Sequence, residues 1–172
     1  RGSLTRPATE EKVDTVGAVY WDDASLRAYS SRGPTDSGVR KPEFVAPDGT
    51  SSTVYGAAGG ESAGFTGTSA AAPHAGGVAA LLLEADGTLA PPEVTTTLAT
   101  TTDPVQGDEP NNRTGDGLIN ATTAVDAVVA ASERGDVTAP SVSGAGAFDL
   151  TDGDGEVAGG DTVRLNVTAA DD

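Results

Sequence analysis

A run of small and apolar residues in the middle of the chain constrains its fold more than any other feature. Residues 66–84 read Thr-Gly-Thr-Ser-Ala-Ala-Ala-Pro-His-Ala-Gly-Gly-Val-Ala-Ala-Leu-Leu-Leu-Glu, with no Asp, Glu, Lys or Arg between Ala70 and Leu83. A helix of this composition is apolar on nearly every side, so it is expected to be buried. The segment predicts a central helix over residues 69–84 with low exposure.

The start of this helix has the features of a turn that exposes a serine. Gly67 and Thr68 occupy the positions of a tight turn and an N-cap, which places Ser69 in the first turn beside unpaired backbone N–H groups. These N–H groups and the positive end of the helix dipole favour a negative charge. Ser69 is therefore a candidate nucleophile. A capped, buried helix without a catalytic role is the alternative.

Three residues inside the predicted helix are poor helix formers. Pro73 lacks the N–H that would bond to the Ser69 carbonyl, so we expect an irregular first turn or a kink. Gly76 and Gly77 each cost about 1 kcal/mol relative to Ala in a helix interior. Glycines at such positions indicate that another backbone packs closely against the helix.

The sequence around Ser69 resembles a known catalytic motif. Residues 67–77, Gly-Thr-Ser-Ala-Ala-Ala-Pro-His-Ala-Gly-Gly, resemble the nucleophile motif of the subtilisin-like serine peptidases. In that family Gly-Thr-Ser is followed by three small residues, Pro-His, a small residue, Ala and Gly, so the chain departs only at Ala75 and Gly76, both small. The Pro-His pair separates the motif from that of the sedolisin-type peptidases. The resemblance implies a serine endopeptidase that hydrolyses polypeptides through an acyl-enzyme on Ser69.

Three further phrases resemble the same family and occur in the family's order. They are Val-Gly-Ala-Val at residues 16–19, Ser-Ser-Arg-Gly-Pro at 30–34 and Lys-Pro-Glu-Phe-Val-Ala-Pro-Asp-Gly at 41–49. A Gly-Leu-Ile-Asn-Ala phrase at 117–121 is a fourth mark of the family. The resemblance covers residues 12–131 and implies an α/β fold, the C-terminal portion of a three-layer parallel-sheet domain spanning residues 1–133.

Hydrophobic patterns and breakers outline the remaining elements. Residues 13–19 predict a buried strand, residues 42–49 predict a short strand that leads into a turn, and Leu26 begins another short strand that leads into a turn. Pro91 and Pro92 predict the first turn of a helix that ends near Thr101. A further helix is predicted over residues 116–131, and one of its faces is apolar: Ala124, Val125, Val128 and Val129.

Most of the catalytic machinery of the family has no counterpart in the chain. In subtilisin the order is Asp, then His as the general base, then Ser. The single histidine, His74, lies five residues after Ser69, about 140° around a regular helix, so it is expected to point away and to serve packing. The oxyanion-hole Asn of the family precedes the strand at residues 16–19, yet no Asn occurs before Asn111.

Two functional hypotheses follow from this gap. In the first, the chain is the C-terminal part of a peptidase domain, inactive alone, whose missing upstream half supplies the Asp, the His and the oxyanion Asn. In the second, the chain belongs to a non-catalytic subtilisin-like domain, used as a binding or cell-surface module. Substrate preference depends in this family on segments upstream of those present.

The composition restricts partners and surroundings. Asp and Glu total 26 against 10 Lys and Arg, a net charge of −16, which argues against nucleic acid or an anionic membrane as a partner. No apolar stretch has membrane-spanning length, and the absence of Cys excludes disulfides and thiolate metal sites. The dispersed acidity resembles that of salt-loving microbes such as haloarchaea. An ordinary acidic secreted protein is the alternative, and either is expected outside the cell.

The composition changes after residue 133. Residues 134–172 are predicted to be a linker and the truncated start of an immunoglobulin-like β domain, with strands at 141–150 and 162–168. The segment between these strands is rich in acidic residues that are candidate calcium ligands, because calcium prefers carboxylate oxygens. A solvated turn is the alternative; no cofactor is expected for the chain itself, and calcium is a candidate cofactor of the intact protein. The candidate ligands are Asp152, Asp154 and Asp161.

Overall fold

A computed structural model of the protein describes residues 4–59, 63–105 and 107–135. It contains two strands, β1 (Val16–Tyr20) and β2 (Phe44–Asp48), and three helices: α1 (Thr68–Ala85), α2 (Pro91–Thr100) and α3 (Ala121–Gly135). The predicted immunoglobulin-like strands and the candidate calcium ligands Asp152, Asp154 and Asp161 lie outside the described residues.

The two strands form a parallel pair at the centre of the described part. Their register aligns Val16 with Phe44 and Tyr20 with Asp48. On the other side of β2, Val45 donates its N–H to Gly117 O at 2.9 Å and accepts a hydrogen bond from the Ile119 N–H at 3.0 Å. Because β2 has neighbours on both sides, its first three residues are buried.

The strands at the beginning of the chain are shorter than predicted. β1 begins at Val16 instead of residue 13, because Val13 and Asp14 are exposed and only Thr15 continues toward the sheet, accepting a hydrogen bond from the Glu43 N–H at 3.0 Å. The strand predicted at Leu26 is reduced to a single bridge with Val19.

Helix α1 lies on the sheet and supplies much of the core, which confirms the predicted central helix. Its buried side chains are small near the N-terminus and larger toward the C-terminus, and all follow a helical repeat: Ala70, Ala71, Ala75, Val78 and Leu82. All of them except Ala70 share a core with Ala18 and Ala46 of the strands and with Leu98 of α2. Small side chains in the first turns let the helix approach the strands closely.

One face of α1 is buried and the opposite face is exposed, so the low exposure predicted for residues 69–84 holds for the side that includes Val78 and Leu82 and is wrong for the other side. Leu81 and Leu83 are 47% and 45% exposed. Gly76 and Gly77 are exposed too, and a Cβ built on either would meet nothing within 4 Å. The apolar composition was read correctly, but the described residues cover only one side of the helix. The backbone segment predicted to pack closely against Gly76 and Gly77 is not found among the described residues.

The end of the described part differs from the prediction in where its helix begins. α2 spans the predicted range, with Pro91 in its first turn. α3 begins at Ala121 instead of residue 116, because Gly115 and Gly117 have φ angles of 62° and 131°, which no right-handed helix allows. Asn120 then caps α3, accepting a hydrogen bond from the Thr123 N–H on Oδ1 at 3.0 Å.

The apolar face of α3 is narrower than its sequence suggests. Ala124 and Val128 are buried in the shared core, and Val125 packs at its edge. Val129 is 40% exposed, so the apolar face predicted for this helix is only partly buried. One turn of helix separates the two buried positions, and Val129 lies about 100° further around the axis than Val128.

Candidate active site

Ser69 lies in the first turn of α1 with an exposed side chain. The N-cap of the helix is Gly67, with φ 100° and ψ 167°, and no side chain caps it. Thr68, predicted as an N-cap, is instead the first helical residue. The Gly67 carbonyl accepts hydrogen bonds from the Ala70 N–H at 2.9 Å and the Ala71 N–H at 3.3 Å, and the helix continues without a break through Pro73.

The backbone N–H groups next to the Ser69 hydroxyl are available to an anion. Within the described part of the chain, neither Thr68 nor Ser69 donates its N–H to an acceptor. These donors point from the N-terminus of an 18-residue helix, where the peptide dipoles add to a positive potential. A negatively charged oxygen formed beside Ser69 is therefore stabilised by groups already in place.

A buried carboxylate lies beneath this turn, at the C-terminal end of β2. Asp48 is fully buried, and its Oδ2 accepts a hydrogen bond from the Gly67 N–H at 2.8 Å and a second from the Tyr29 hydroxyl. The Gly67 N–H also approaches the Tyr29 hydroxyl oxygen at 3.3 Å. The other carboxylate oxygen, Oδ1, lies 3.2 Å from Nε of Arg27. Asp48 therefore joins the end of the strand to the cap of the helix.

Arg27 completes this buried network. Its side chain is only 8% exposed, and Nε donates to the Tyr29 hydroxyl at 2.9 Å. Its guanidinium carbon lies 5.0 Å from the ring centroid of Tyr20 and 5.3 Å from that of Tyr29, within range of cation–π attraction. The Asp48 charge is thus paired inside the protein, as a buried carboxylate requires.

Sequence reasoning missed Asp48 and Arg27. Asp48 falls in the predicted short strand and turn over residues 42–49, and Arg27 falls in the short strand predicted to begin at Leu26. One signal was present, because an acidic residue that directly follows Phe-Val-Ala-Pro in a buried strand needs a cation. The sequence alone does not say which arginine supplies it.

Tyr29 gives the network a pH dependence. Burial, and then the hydrogen bond to Asp48, raise the pKa of the Tyr29 hydroxyl above its ordinary value of 10.0. The folded state therefore holds this proton more tightly than the unfolded state, so its contribution to stability is complete below about pH 10 and is lost as pH rises through the folded pKa.

We expect the urea midpoint of wild type to fall more steeply above pH 10 than that of Tyr29→Phe. Parallel pH profiles would contradict this assignment.

His74 is bonded to its own helix. Its Nδ1 lies 2.7 Å from the Ala70 carbonyl oxygen, so the tautomer protonated at Nδ1 donates to that carbonyl. No hydrogen bond joins His74 to Ser69 in the part of the chain that the structure describes. The structure thus brings Ser69 together with backbone N–H groups but not with the only imidazole in the sequence.

A groove runs beside the first turns of α1. It is lined by residues of the helix and of the segment that precedes β1. Part of its lining is Thr68 and Ala72 of the helix, Val13, Asp14 and Thr15 before the strand, and Ser31. The groove therefore lies next to Thr68, the residue that precedes Ser69.

Comparison with known proteins places this arrangement in a family. The model of the subtilase family matches residues 1–117, which include both strands, the Asp48 network and all of α1. The chain belongs to the subtilase family. The match confirms the resemblance seen around Ser69 and the α/β fold that it implied.

Curated relatives show how much of a subtilase the chain represents. Bacillopeptidase F of Bacillus subtilis is 37% identical over an alignment of 132 positions that covers 74% of this chain and 9% of that protein. Serine protease AprX of the same organism is 34% identical over an alignment of 141 positions that covers 72% of this chain and 32% of that protein. The chain therefore spans less than a third of the length of either relative.

Solved structures give the same result for the fold. The CspB protease of Clostridium perfringens matches 73% of this chain and 29% of its own, with a TM-score of 0.62 and 29% identity. Fervidolysin from Fervidobacterium pennivorans, a keratinolytic enzyme related to subtilisin, matches 70% of this chain and 20% of its own, with a TM-score of 0.55 and 26% identity. The described elements of this subtilase thus correspond to less than a third of the chain in both of these structural relatives.

Proposed function

We propose that the chain is the nucleophile-bearing C-terminal part of a subtilase serine endopeptidase, secreted or held at the cell surface. The observation that supports this most is the geometry of Ser69, whose hydroxyl is exposed beside backbone N–H groups without acceptors in the first turn of α1. The Ser69 oxygen attacks a peptide carbonyl carbon as a base removes its proton. The oxyanion forms beside the helix N-terminus, the amine leaves with a proton, and water then hydrolyses the acyl-enzyme.

The missing upstream half of the same domain is the proposed structural partner. The exposed face of α1 contains Leu81 and Leu83, together with two glycines that leave open space for another backbone. An apolar helix face of this kind is stable in a soluble enzyme when a further layer covers it. We place the triad Asp and His and the oxyanion Asn in that half, because the described residues offer Ser69 no base.

Peptide hydrolysis by the complete domain tests the proposed activity. We expect wild type to cleave a denatured polypeptide, and Ser69→Ala to remove that activity while the melting temperature stays close to that of wild type. Ser37→Ala is a matched control, because it deletes an exposed serine hydroxyl whose hydrogen bond is to Thr35. Full activity of Ser69→Ala would refute the assignment.

The second candidate, a non-catalytic binding or cell-surface module, has one observation in its favour. The only histidine in the sequence is bonded to the Ala70 carbonyl, so it offers Ser69 no base within the described residues. A folded complete domain that neither hydrolyses peptides nor reacts with an active-site serine probe would support this candidate over the peptidase.

We also propose that the protein works in concentrated salt, as haloarchaeal proteins do. The chain has 26 acidic and 10 basic residues, so the folded state suffers repulsion that salt screens. We expect the melting temperature of the complete protein to rise as KCl increases from about 0.1 M to molar concentrations, since screening and stronger apolar burial both favour the folded state. A flat or falling series would favour an ordinary acidic secreted protein.

The remaining partner and domain assignments stay proposals. They are a boundary between residues 1–133 and 134–172, an immunoglobulin-like start in the second part, and calcium in the complete protein. Nucleic acid is proposed not to be a partner because of the net charge of −16. Among the helices of the described residues, none has the length and hydropathy needed to span a bilayer.

A further inference from the structure

We propose that Asp48 is a positioning residue for Ser69: its buried carboxylate fixes the N–H of Gly67 and so holds the turn that presents the serine. The inference rests on the proposed role of Ser69 as the nucleophile. It concerns a residue of the strand end, not of the helix that bears the serine.

The burial of Asp48 requires an explanation beyond the stability of the strand. The three residues at the start of β2 are apolar and buried, and an apolar side chain at position 48 would continue that pattern. A buried carboxylate and a buried arginine are costly to remove from water, and such pairs are often no more stabilising than apolar residues. The pair also bonds to one backbone group from another element, the Gly67 N–H, at 2.8 Å.

Gly67 is the residue on which the start of α1 depends. Its left-handed φ of 100° is open to glycine and strained for other residues, and its carbonyl accepts the first two hydrogen bonds of the helix. No side chain caps the helix at this point. Asp48 and Tyr29 are therefore the side chains that hold the cap, through a shared N–H at 2.8 and 3.3 Å.

Gly67 lies only two residues before Ser69, so a displacement of Gly67 also displaces the Ser69 hydroxyl and the Ser69 backbone N–H. A bond from an N–H to a carboxylate is shorter and about twice as strong as a neutral one. Weakening this bond is expected to lower the rate of the chemical step, because an error of about 1 Å in a reacting group can cost a factor of 10². Substrate affinity should change little, since Asp48 is fully buried and touches no substrate.

A matched control lies at the other end of the same strand. Glu43 accepts the Thr15 N–H on Oε2 at 2.7 Å, and its Oε1 pairs with Lys41 Nζ at 2.6 Å. Glu43→Gln and Asp48→Asn thus make the same chemical change in two ion-paired carboxylates that each hold a backbone N–H. Only Asp48 is bonded to the cap of α1.

The test compares kcat, KM and melting temperature of Asp48→Asn and Glu43→Gln in the complete peptidase domain. Asn keeps the volume and one acceptor oxygen but loses the charge and turns a donor toward Arg27 or Tyr29. We expect Asp48→Asn to lower kcat about tenfold or more with KM within about twofold of wild type. Glu43→Gln should lower the melting temperature to a similar degree and leave kcat within about twofold.

Tyr29→Phe provides a second, milder variant in case Asp48→Asn does not fold. It removes the hydroxyl that shares the Gly67 N–H and bonds to Asp48, so kcat is expected to fall severalfold at constant KM. The inference would be overturned if kcat fell equally in Asp48→Asn and Glu43→Gln, or if kcat were unchanged in both Asp48→Asn and Tyr29→Phe. Either result would leave Ser69 as the proposed nucleophile. A folded wild-type domain without activity would overturn both this inference and the proposed function.

Discussion

The 172-residue chain on its own is expected to hydrolyse peptides no faster than background, although it contains the proposed nucleophile. A serine hydroxyl is a weak nucleophile at neutral pH and needs an adjacent base. The only imidazole present, that of His74, is bonded to the Ala70 carbonyl at 2.7 Å. In subtilisin, a member of the same family, loss of the serine or the histidine alone costs about 10⁶ in turnover.

Turnover of one peptide substrate by three samples measures this effect: the chain alone, the complete domain, and the complete domain with Ser69→Ala. We expect the complete domain to exceed both other samples by about 10⁶, the loss known for subtilisin. His74→Ala in the complete domain is the control, and it should retain the reaction because a structural histidine supplies no proton transfer. Activity of the chain alone that Ser69→Ala removes would mean that a base exists in the residues present.

Glu43→Ala is expected to destabilise the complete domain by about 3 kcal/mol, the lower end of the usual cost of breaking a buried ion pair from one side, because Lys41 is fully buried but the Glu43 side chain is 19% exposed. Lys41 is fully buried, and its Nζ bonds to Glu43 Oε1 and to the Val13 carbonyl oxygen, both at 2.6 Å. Removal of the carboxylate leaves the ammonium charge without its counter-ion in the interior. It also leaves the Thr15 N–H without its acceptor.

Urea denaturation of the complete domain measures this loss. Asp116→Ala is the matched control, because it breaks the Arg40–Asp116 pair, whose side chains are 40% and 23% exposed. An ion pair in contact with water contributes less than about 1 kcal/mol. Equal changes in the free energy of unfolding for the two variants would contradict the description of Lys41 as a buried charge that depends on Glu43.

The sequence predicted the central helix well because its signal is local. The charge-free run after Ser69 sets both the helix and its place on the sheet, and the prolines at 91 and 92 set the start of α2. The apolar composition of α1 shows that its surface favours burial, but it does not show which residues cover that surface. The exposure of Leu81 and Leu83 therefore could not be read from the sequence.

The features that sequence reasoning missed depend on residues distant in the chain. Gly115 has a positive φ and lies so close to the Glu43 carbonyl that a Cβ would collide with it, a contact across 72 positions that excludes a helix there. Asp48 and Arg27 are 21 positions apart in the sequence and meet only in the folded protein. The hydrogen bond from the Gly67 N–H to Asp48 forms because β2 ends at Asp48, beside the start of α1. The motif indicated Ser69 as a candidate nucleophile, whereas only the structure shows the hydrogen bond from the Gly67 N–H to Asp48.

The site of a covalent adduct tests the central claim most directly. The complete domain is treated with a fluorophosphonate, which forms a stable adduct with an activated serine, and the modified peptide is identified by mass spectrometry. We predict one adduct, on the peptide that contains Ser69, and none in Ser69→Ala or in the 172-residue chain alone. An adduct on a different serine, or a folded complete domain that remains unlabelled, would contradict the assignment of Ser69 as the nucleophile.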